Sequence, residues 1–155
     1  MPSNEALPFV IREYRSSDFP ALCALDRLCF PEAIAYTPQE IALGLAQRGA
    51  FAFVAEAGGR VRAFLLACQK KTSVGHIVTI DVHPDYRRQG IGHRLMELTE
   101  ERLRQRGAHR IVLEAGVLNH PALEFYEKLG YSIRRLLPEY YPDGSDAYLM
   151  EKSLQ

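Results

Sequence analysis

The chain has 155 residues, and its 19 lysines and arginines balance 19 aspartates and glutamates, so the formal net charge is zero. This balance removes the overall positive field by which proteins attract nucleic acids or anionic membranes. The length and an apolar content of 47% are ordinary for a globular protein. We therefore expect a single domain over 1–155, with an ordered core over about 9–152.

The three cysteines, Cys23, Cys29 and Cys68, show no C-x-x-C spacing and leave an odd thiol. This pattern favours free thiols in a reducing compartment, and the scattered histidines argue against a metal site. No signal peptide is evident in MPSNEALPFVI, and no stretch approaches the roughly 20 apolar residues of a membrane span. We expect a cytoplasmic monomer or weak homodimer without a metal, nucleic acid or membrane partner.

The first third of the chain predicts one strand and two helices. FVIREY has the composition of a strand, and Ser17 or Asp18 then caps a helix. The apolar stripe of this helix consists of Leu22, Leu25 and Leu28. FPEAIAY is a loop, and the TPQE that follows it has the spacing of a capping box with proline at the first helical position. A second, short helix is therefore predicted to end at about Gln47.

The middle of the chain predicts a hairpin, a further strand and a long helix. FAFVAEAGGRVRAFLLACQ contains two strands around the turn Gly58-Gly59. SVGHIVTIDV is the next strand, because nearly every second residue is apolar. Ile91, Leu95 and Leu98 then direct one face of a long helix at the sheet, and Gly107 ends it.

The last third predicts three strands and one helix. HRIVLEA is a strand, a helix runs from Pro121 to Leu129 and ends at Gly130, and YSIRRLL and DAYLMEK are strands around YYPDGS. The complete order is β-α-α-β-β-β-α-β-α-β-β. This order is typical of a mixed α/β sheet with helices packed on it.

The stretch DYRRQGIGHRLM connects an apolar strand to the long helix. The first N–H groups of a helix lack intrahelical partners, and Gly90 and Gly92 let the backbone approach a phosphate closely. An ordinary strand-to-helix turn with solvated arginines is compatible with the same sequence, because a G-x-G pair is a weak signal. The arginines and histidines concentrated between Arg87 and Arg110 favour a small polyanionic ligand.

A dinucleotide-binding unit is one alternative for this turn. Glu114, at the end of the next strand, lies where a ribose-binding acid is expected. However, Leu95 occupies the place of the third glycine. Three further strands also precede the strand that leads into the turn, whereas a dinucleotide-binding unit usually opens with that strand. No G-x-x-x-x-G-K-[ST] motif is present either. The pattern therefore disfavours a nucleotide-binding role.

Two motifs carry a more specific resemblance. Arg87-Arg88-Gln89-Gly90-Ile91-Gly92 matches R-x-x-G-x-G/A, and NHPALEFYEKLGY matches N-x-x-A-x-x-F-Y-x-x-x-G-F/Y. Both motifs, and the preceding strand that ends in Ile80-Asp81-Val82, resemble the signatures of the GNAT superfamily of N-acetyltransferases over about Phe9 to Lys152. LEAGVLNHPALEFYEKLGY and RRLLPEYYPDGSDAYLM are most similar to the ribosomal-protein-alanine N-acetyltransferases (RimI type). FPEAIAY departs from the loop of that type, and Asp81 stands where a small residue is commoner.

The resemblance implies the GNAT-type fold, a mixed, mostly antiparallel seven-stranded sheet with about four helices, and acetyl-CoA as cosubstrate. The pyrophosphate is expected on backbone N–H groups at the helix start, and the pantetheine along the edge of the preceding strand. The Val82 N–H is expected to polarise the thioester carbonyl. The expected cofactor-binding residues are Ile80, Asp81, Val82, Arg87, Arg88, Gln89, Gly90, Ile91, Gly92, His93 and Asn119.

The resemblance also implies two catalytic residues, Glu114 as the base and Tyr126 as the acid. A phenol with a pKa near 10 can protonate a departing thiolate with a pKa near 8.5. Structural roles remain open for these two residues, Glu114 as a charge at a strand end and Tyr126 as a core aromatic. Asn119 has a structural alternative as a helix N-cap.

The acceptor is expected to be an amine, and it must be neutral to attack. With a pKa of about 7.7–8.0, roughly a tenth of α-amines are neutral at pH 7, against about one lysine in two thousand. The first hypothesis is therefore an N-terminal α-amine of a protein, such as a ribosomal protein, bound by Tyr140 and Tyr141. An alternative acceptor is a small-molecule amine (a polyamine, amino acid or antibiotic), and an alternative function is a non-catalytic acetyl-CoA sensor. Tyr140 and Tyr141 have a structural alternative as well, in which they only favour strand structure.

Overall fold

The computed structural model describes residues 8–155, in which seven strands and four α-helices occur in the predicted order. Short 3₁₀ turns at Ser16–Asp18 and Pro84–Tyr86 add to them. The elements are β1 Val10–Glu13, α1 Phe19–Cys29, α2 Pro38–Ala46, β2 Ala50–Ala57, β3 Arg60–Lys71, β4 Val74–Val82, α3 Ile91–Gln105, β5 Arg110–Gly116, α4 His120–Lys128, β6 Ser132–Leu137 and β7 Ala147–Ser153.

The strands form one sheet in the order β1-β2-β3-β4-β5-β7-β6. Neighbouring strands are antiparallel except β4 and β5, which are parallel. Helix α3 connects this pair, since parallel strands need a crossover and cannot be joined by a hairpin. The prediction of a mixed, mostly antiparallel seven-stranded sheet is confirmed.

Each face of the sheet carries a hydrophobic core. Phe53 and Ala55 of β2 belong to one core, and Ala52 and Val54 belong to the other. Successive residues of a strand point to opposite faces, so the two cores lie on opposite sides of the sheet. Helices α3 and α4 cover the first core, and α1 and α2 cover the second, with buried Leu22 and Leu25 and partly buried Leu45.

The first helix departs from its prediction at two positions. Asp18 precedes α1 without capping it, because its carboxylate accepts the Arg15 N–H (2.8 Å) and so closes the 3₁₀ turn. Leu28 is 53% exposed, whereas Asp26 is fully buried. The buried stripe continues four residues after Leu22, at Asp26, and this places Leu28 outside it.

Helix α3 is the longest helix in the range 8–155, with 15 residues. Its buried side contains Ile91, Leu95 and Leu103, and its exposed side carries ion pairs between residues three apart, such as Arg94–Glu97 (3.0 Å). Across the described part of the chain, no helix combines the length and the apolar character that crossing a membrane requires.

Two irregularities of β4 open the sheet. In its pairing with β3, Leu66 faces Thr79 but Ala67 faces Ile77, so Val78 is an extra residue that forms a β-bulge. In its pairing with β5, only Val74–His76 has partners. The ends of the two strands, residues 77–82 of β4 and 113–116 of β5, therefore face one another across what we term the β4–β5 gap.

An ion-pair network ties the first strand to the start of α1. The Arg12 guanidinium donates to both carboxylate oxygens of Asp18 (2.8 Å each) and to Glu56 on β2 (2.7 Å). Asp18 is buried, and its hydrogen bonds from Arg12 hold the pKa of its carboxyl below the usual range. A lowered pKa means that folding stabilises the ionised carboxylate of Asp18 relative to its protonated form.

We expect Asp18→Asn to lower the free energy of unfolding by about 3 kcal/mol at pH 7, because it leaves the Arg12 charge without its bidentate partner. The contribution exists above the ordinary Asp pKa of about 3.9 and is lost as the pH falls through the lowered pKa, so the deficit should shrink in acid. Urea unfolding at pH 7 and below pH 4 measures it. Glu101→Gln, at an exposed ion pair of α3, is the control; a deficit that stays constant with pH would contradict the account.

Candidate active site

Backbone polar groups of β4 face the β4–β5 gap. The His83 N–H donates to the Arg62 carbonyl of β3 (2.8 Å), whereas the Val82 carbonyl accepts from Arg87 Nε (2.9 Å) and Cys29 Sγ (3.4 Å). Because consecutive strand residues alternate the direction of their hydrogen bonds, Ile80 faces the same way as Val82. The edge predicted at Ile80 and Val82 is therefore available to a ligand in the gap.

Asp81 does not belong to this edge. Its backbone is in register with Phe64, so strand alternation turns its polar groups toward β3. Its side chain is 1% exposed and accepts the Thr79 hydroxyl at Oδ1 (2.6 Å). The expectation that three consecutive residues offer their backbone to the cofactor is wrong at Asp81, since only every second residue of a strand can do so.

The turn before α3 has an unusual backbone. Arg88 (φ +62°) and Gly90 (φ +87°) are both left-handed, and Gly90 is the N-cap of a helix that begins at Ile91. A left-handed residue next to a right-handed one, such as Gly90 before the helical Ile91, turns neighbouring N–H groups to one side and forms an anion-binding concavity. The left-handed conformation costs a non-glycine residue roughly 1–2 kcal/mol. Strain of this kind is characteristic of ligand-binding turns.

The side chains of this turn have other surroundings. Arg87 is bonded to the Val82 carbonyl, and His93 Nε2 pairs with Glu97 (2.7 Å) on the exposed side of α3. Ile91 is 1% exposed, and a Cβ on Gly92 would lie 3.2 Å from the Phe125 ring. Gln89 Oε1 is buried without a hydrogen-bond partner in residues 8–155. The structure thus presents this turn to a ligand mainly through its backbone.

Glu114 is held by His76, a histidine that no sequence motif indicated. Its Oε2 lies 2.7 Å from His76 Nε2, and the two side chains are 18% and 12% exposed. His76 is the last residue of β4 that pairs with β5, opposite Val112. The parallel register therefore places His76 beside Glu114. The available signal was a single histidine in the apolar strand SVGHIVTIDV.

Four tyrosines lie near enough to Glu114 for its charge to affect them. Tyr36 comes from the loop between α1 and α2, Tyr126 from α4, and Tyr140 and Tyr141 from the loop between β6 and β7. Burial is the main cause that raises the pKa of each phenol, and the charge of Glu114 contributes in all four cases. For Tyr141 the pKa is about 12. All four hydroxyls are therefore neutral hydrogen-bond donors near pH 7.

Tyr126 combines a core position with proximity to the gap. Its ring packs against Phe125 (centroids 5.4 Å apart) and Tyr131 (5.9 Å), and the residue is 9% exposed. After burial, the charges of Asp81 and Glu114 are among the causes of its raised pKa. These two residues belong to β4 and β5, so Tyr126 lies near the ends of both strands.

Tyr140 and Tyr141 are not strand residues. Both lie in the irregular segment between β6 and β7, with rings edge to face at 5.0 Å. Tyr140 is 44% exposed, and the Tyr141 ring lies near Gly116, 3.6 Å from where a Cβ would be. Their position in a loop does not fit the alternative in which these tyrosines only favour strand structure. The predicted reversal is confirmed by the bond from the Gly144 N–H to the Tyr141 carbonyl (2.9 Å).

Asn119 acts as the N-cap of α4 in this structure. Its Oδ1 accepts the Ala122 N–H at 3.3 Å, which satisfies one of the free donors at the start of the helix. This is the structural role that the sequence left open for it. In the range 8–155, no group of three histidine, cysteine or acidic side chains is arranged to hold a metal ion.

Comparisons with known proteins match most of the chain. The family model described as Acetyltransferase (GNAT) family matches residues 12–131. An N-alpha-acetyltransferase from Sulfurisphaera tokodaii is 35% identical over 93% of this chain and 92% of its own length. The crystal structure of Ard1 from Thermoplasma volcanium has a TM-score of 0.87 and 26% identity, and covers 95% of this chain and 98% of its own. The crystal structure of the ribosomal-protein-S18-alanine N-acetyltransferase from Escherichia coli has a TM-score of 0.84 and 26% identity, and covers 96% of this chain and 95% of its own.

Proposed function

The chain belongs to the acetyltransferase (GNAT) family, and on that basis we propose that it transfers acetyl from acetyl-CoA to the N-terminal α-amine of a protein, such as a ribosomal protein. The observation that carries the proposal is the Glu114 carboxylate, held by His76 beside the gap and surrounded by tyrosines. The names of the relatives from Sulfurisphaera tokodaii and Escherichia coli support an α-amine acceptor. The free thiols Cys23, Cys29 and Cys68 fit a cytoplasmic enzyme.

Acetyl-CoA fits the gap through its backbone partners. The N–H groups from Arg88 to His93 bind the pyrophosphate, since the left-handed turn and the helix dipole both favour an anion there. The amides of the pantetheine pair with Ile80 and Val82 as an added strand would. The Val82 N–H then points at the thioester carbonyl, where negative charge develops during the reaction.

Glu114 takes the proton of the acceptor amine. A carboxylate only accepts hydrogen bonds, so His76 carries its proton on Nε2, and this N–H donates a hydrogen bond to Oε2. Oε1 of Glu114 is then free to receive a proton from the amine, directly or through one water. Modest assistance is sufficient for an α-amine, because about a tenth of such amines are already neutral at pH 7.

The transfer itself requires no covalent enzyme intermediate. The neutral amine attacks the thioester carbon, the carbonyl oxygen becomes negative beside the Val82 N–H, and the C–S bond then breaks. Tyr126 donates its hydroxyl proton to the departing thiolate, and the proton that the acetylated nitrogen gives up returns Tyr126 to the neutral phenol. Burial raises the pKa of Tyr126, and the same apolar surroundings raise the pKa of a thiol, so the proton transfer remains possible.

We expect Gly92→Glu to weaken acetyl-CoA binding at least about tenfold more than Gly92→Gln does. Both side chains must displace the Phe125 ring, but only glutamate adds negative charge beside the phosphates. A glutamate in the first turn favours the helix itself, so helix stability does not explain a loss. Calorimetric titration measures both affinities. Equal affinities in the two folded variants would place the pyrophosphate elsewhere.

We expect Tyr126→Phe to lower kcat on the order of 10²–10⁴-fold and to leave acetyl-CoA affinity nearly unchanged. The reason is that the thiolate needs a proton only in the transition state. Tyr14→Phe, which removes a phenol that packs against the opposite core, is the matched control. A chemical step within about twofold of wild type, in single-turnover assays, would make Tyr126 a packing residue only.

The acceptor class is tested by thiol release from acetyl-CoA with three sets of amines. We expect turnover with peptides that have a free N-terminus, and none with N-terminally blocked peptides that contain lysine or with small amines. Turnover of small amines alone would overturn the protein acceptor, and thiol release from no amine would indicate a sensor.

On the best peptide, Tyr140→Phe or Tyr141→Phe should raise KM for the peptide much more than it changes acetyl-CoA affinity. Wild-type peptide KM in both variants would exclude the tyrosines from peptide binding.

A further inference from the structure

Two buried carboxyl groups face one another between α1 and β4. Asp26 is 0% exposed and Asp81 is 1% exposed. Asp26 lies on α1 one turn before Cys29, whose Sγ contacts the Val82 carbonyl, next to Asp81, at 3.4 Å. One oxygen of each has a donor: the Tyr36 N–H bonds to Asp26 Oδ2, and the Thr79 hydroxyl bonds to Asp81 Oδ1, both at 2.6 Å. The remaining oxygens, Asp26 Oδ1 and Asp81 Oδ2, are buried without a partner in residues 8–155.

A single proton resolves this arrangement. Two carboxylates in contact at this depth repel one another and lose their hydration, so both cannot be ionised. One proton between Asp26 Oδ1 and Asp81 Oδ2 converts the two partnerless acceptors into a hydrogen-bonded pair. Burial, followed by the contact with Asp26, raises the pKa of Asp81 well above its ordinary value. The pair then carries one negative charge instead of two.

The groups around the pair are compatible with that charge. Burial raises the pKa of two thiols and two phenols that face it, so these four groups stay neutral near pH 7. A guanidinium contributes an opposing positive charge. The facing groups are Cys23 and Cys29 of α1, Tyr36 of the following loop, Arg87 of the turn after β4, and Tyr126 of α4.

The pair connects the acceptor side of the site to the strand that binds the donor. Asp26 fixes the backbone of Tyr36, whose phenol faces Glu114, Tyr140 and Tyr141. Asp81 lies between Ile80 and Val82, which present their backbone to the gap. Cys29, three residues after Asp26, reaches the Val82 carbonyl and attaches α1 to β4 a second time.

We propose that Asp26 and Asp81 share one proton and act together as positioning residues that hold Tyr36 in place for the acceptor. The proposal rests on the function proposed above, and adds to it how the loop between α1 and α2 is fixed. Neither residue touches a reacting atom. Their effect therefore belongs in the KM for the peptide and not in acetyl-CoA affinity.

Asparagine substitutions distinguish a shared proton from ordinary packing. In Asp81→Asn the amide keeps its oxygen on Thr79 and donates to Asp26. In Asp26→Asn the amide keeps its oxygen on the Tyr36 N–H and donates to Asp81. Each single variant thus replaces the shared proton with an N–H. In the double variant two NH₂ groups meet without an acceptor, so one hydrogen bond must be lost.

We expect both single variants to retain a peptide KM within about threefold of wild type, and the double variant to raise it about tenfold or more. Hydrogen exchange of the Tyr36 amide should be slow in the wild type and both single variants and faster in the double variant. Glu101→Gln, which removes an exposed carboxylate from α3, should change neither quantity.

Infrared spectroscopy detects the shared proton independently of any activity assay. The wild type at pH 7 should show the C=O stretch of a buried carboxylic acid, and this band should be missing in either single variant, whether or not the double variant folds. Absence of the band from the wild type, or a double variant with wild-type exchange and wild-type peptide KM, would overturn the proposal. If the band and the exchange behave as expected while no peptide is acetylated, the pair stands and the protein acceptor is wrong.

Discussion

Pairing between β4 and β5 covers only Val74–His76 and Arg110–Val112, and this early end of the parallel ladder is the constraint on which the site depends. Backbone groups inside a sheet need hydrogen-bond partners, because leaving them unpaired away from water costs free energy. The exposed edge of β4 can be completed by a ligand that carries amides along an extended chain. The pantetheine of acetyl-CoA is such a ligand, and in the function proposed above its thioester lies between Glu114 and Tyr126, which come from opposite sides of the sheet.

The bulge at Val78 decides which residues share this site. Before it, Ile77 points into the core beneath α3; after it, Ile80 and Val82 pack on that same core. The extra residue thus reverses the alternation, and Asp81 turns toward α1, on the face where Val78 also packs. One inserted residue therefore brings Asp81 to the face of the acceptor loop, although regular alternation would bury it beneath α3.

Local patterns predicted most of the architecture. The Gly58-Gly59 hairpin, the capping box at Thr37 and the glycine turn before α3 are encoded within a few residues, so their signals are readable in the sequence. The contacts of the site are different in kind. His76 meets Glu114 through the register of two parallel strands joined by a long crossover, and Asp26 meets Asp81 only because a bulge turns one strand. Neither pairing has a local signature.

Amide hydrogen exchange in the presence and absence of acetyl-CoA observes the edge of β4 itself. If the pantetheine pairs with this edge, acetyl-CoA slows the exchange of the Ile80 and Val82 amides. The amides of Val74–His76, which β5 already pairs, and of Asp81, which faces β3, should change little. If acetyl-CoA slows exchange at other amides but leaves that of Ile80 and Val82 unchanged, the donor does not complete this sheet edge.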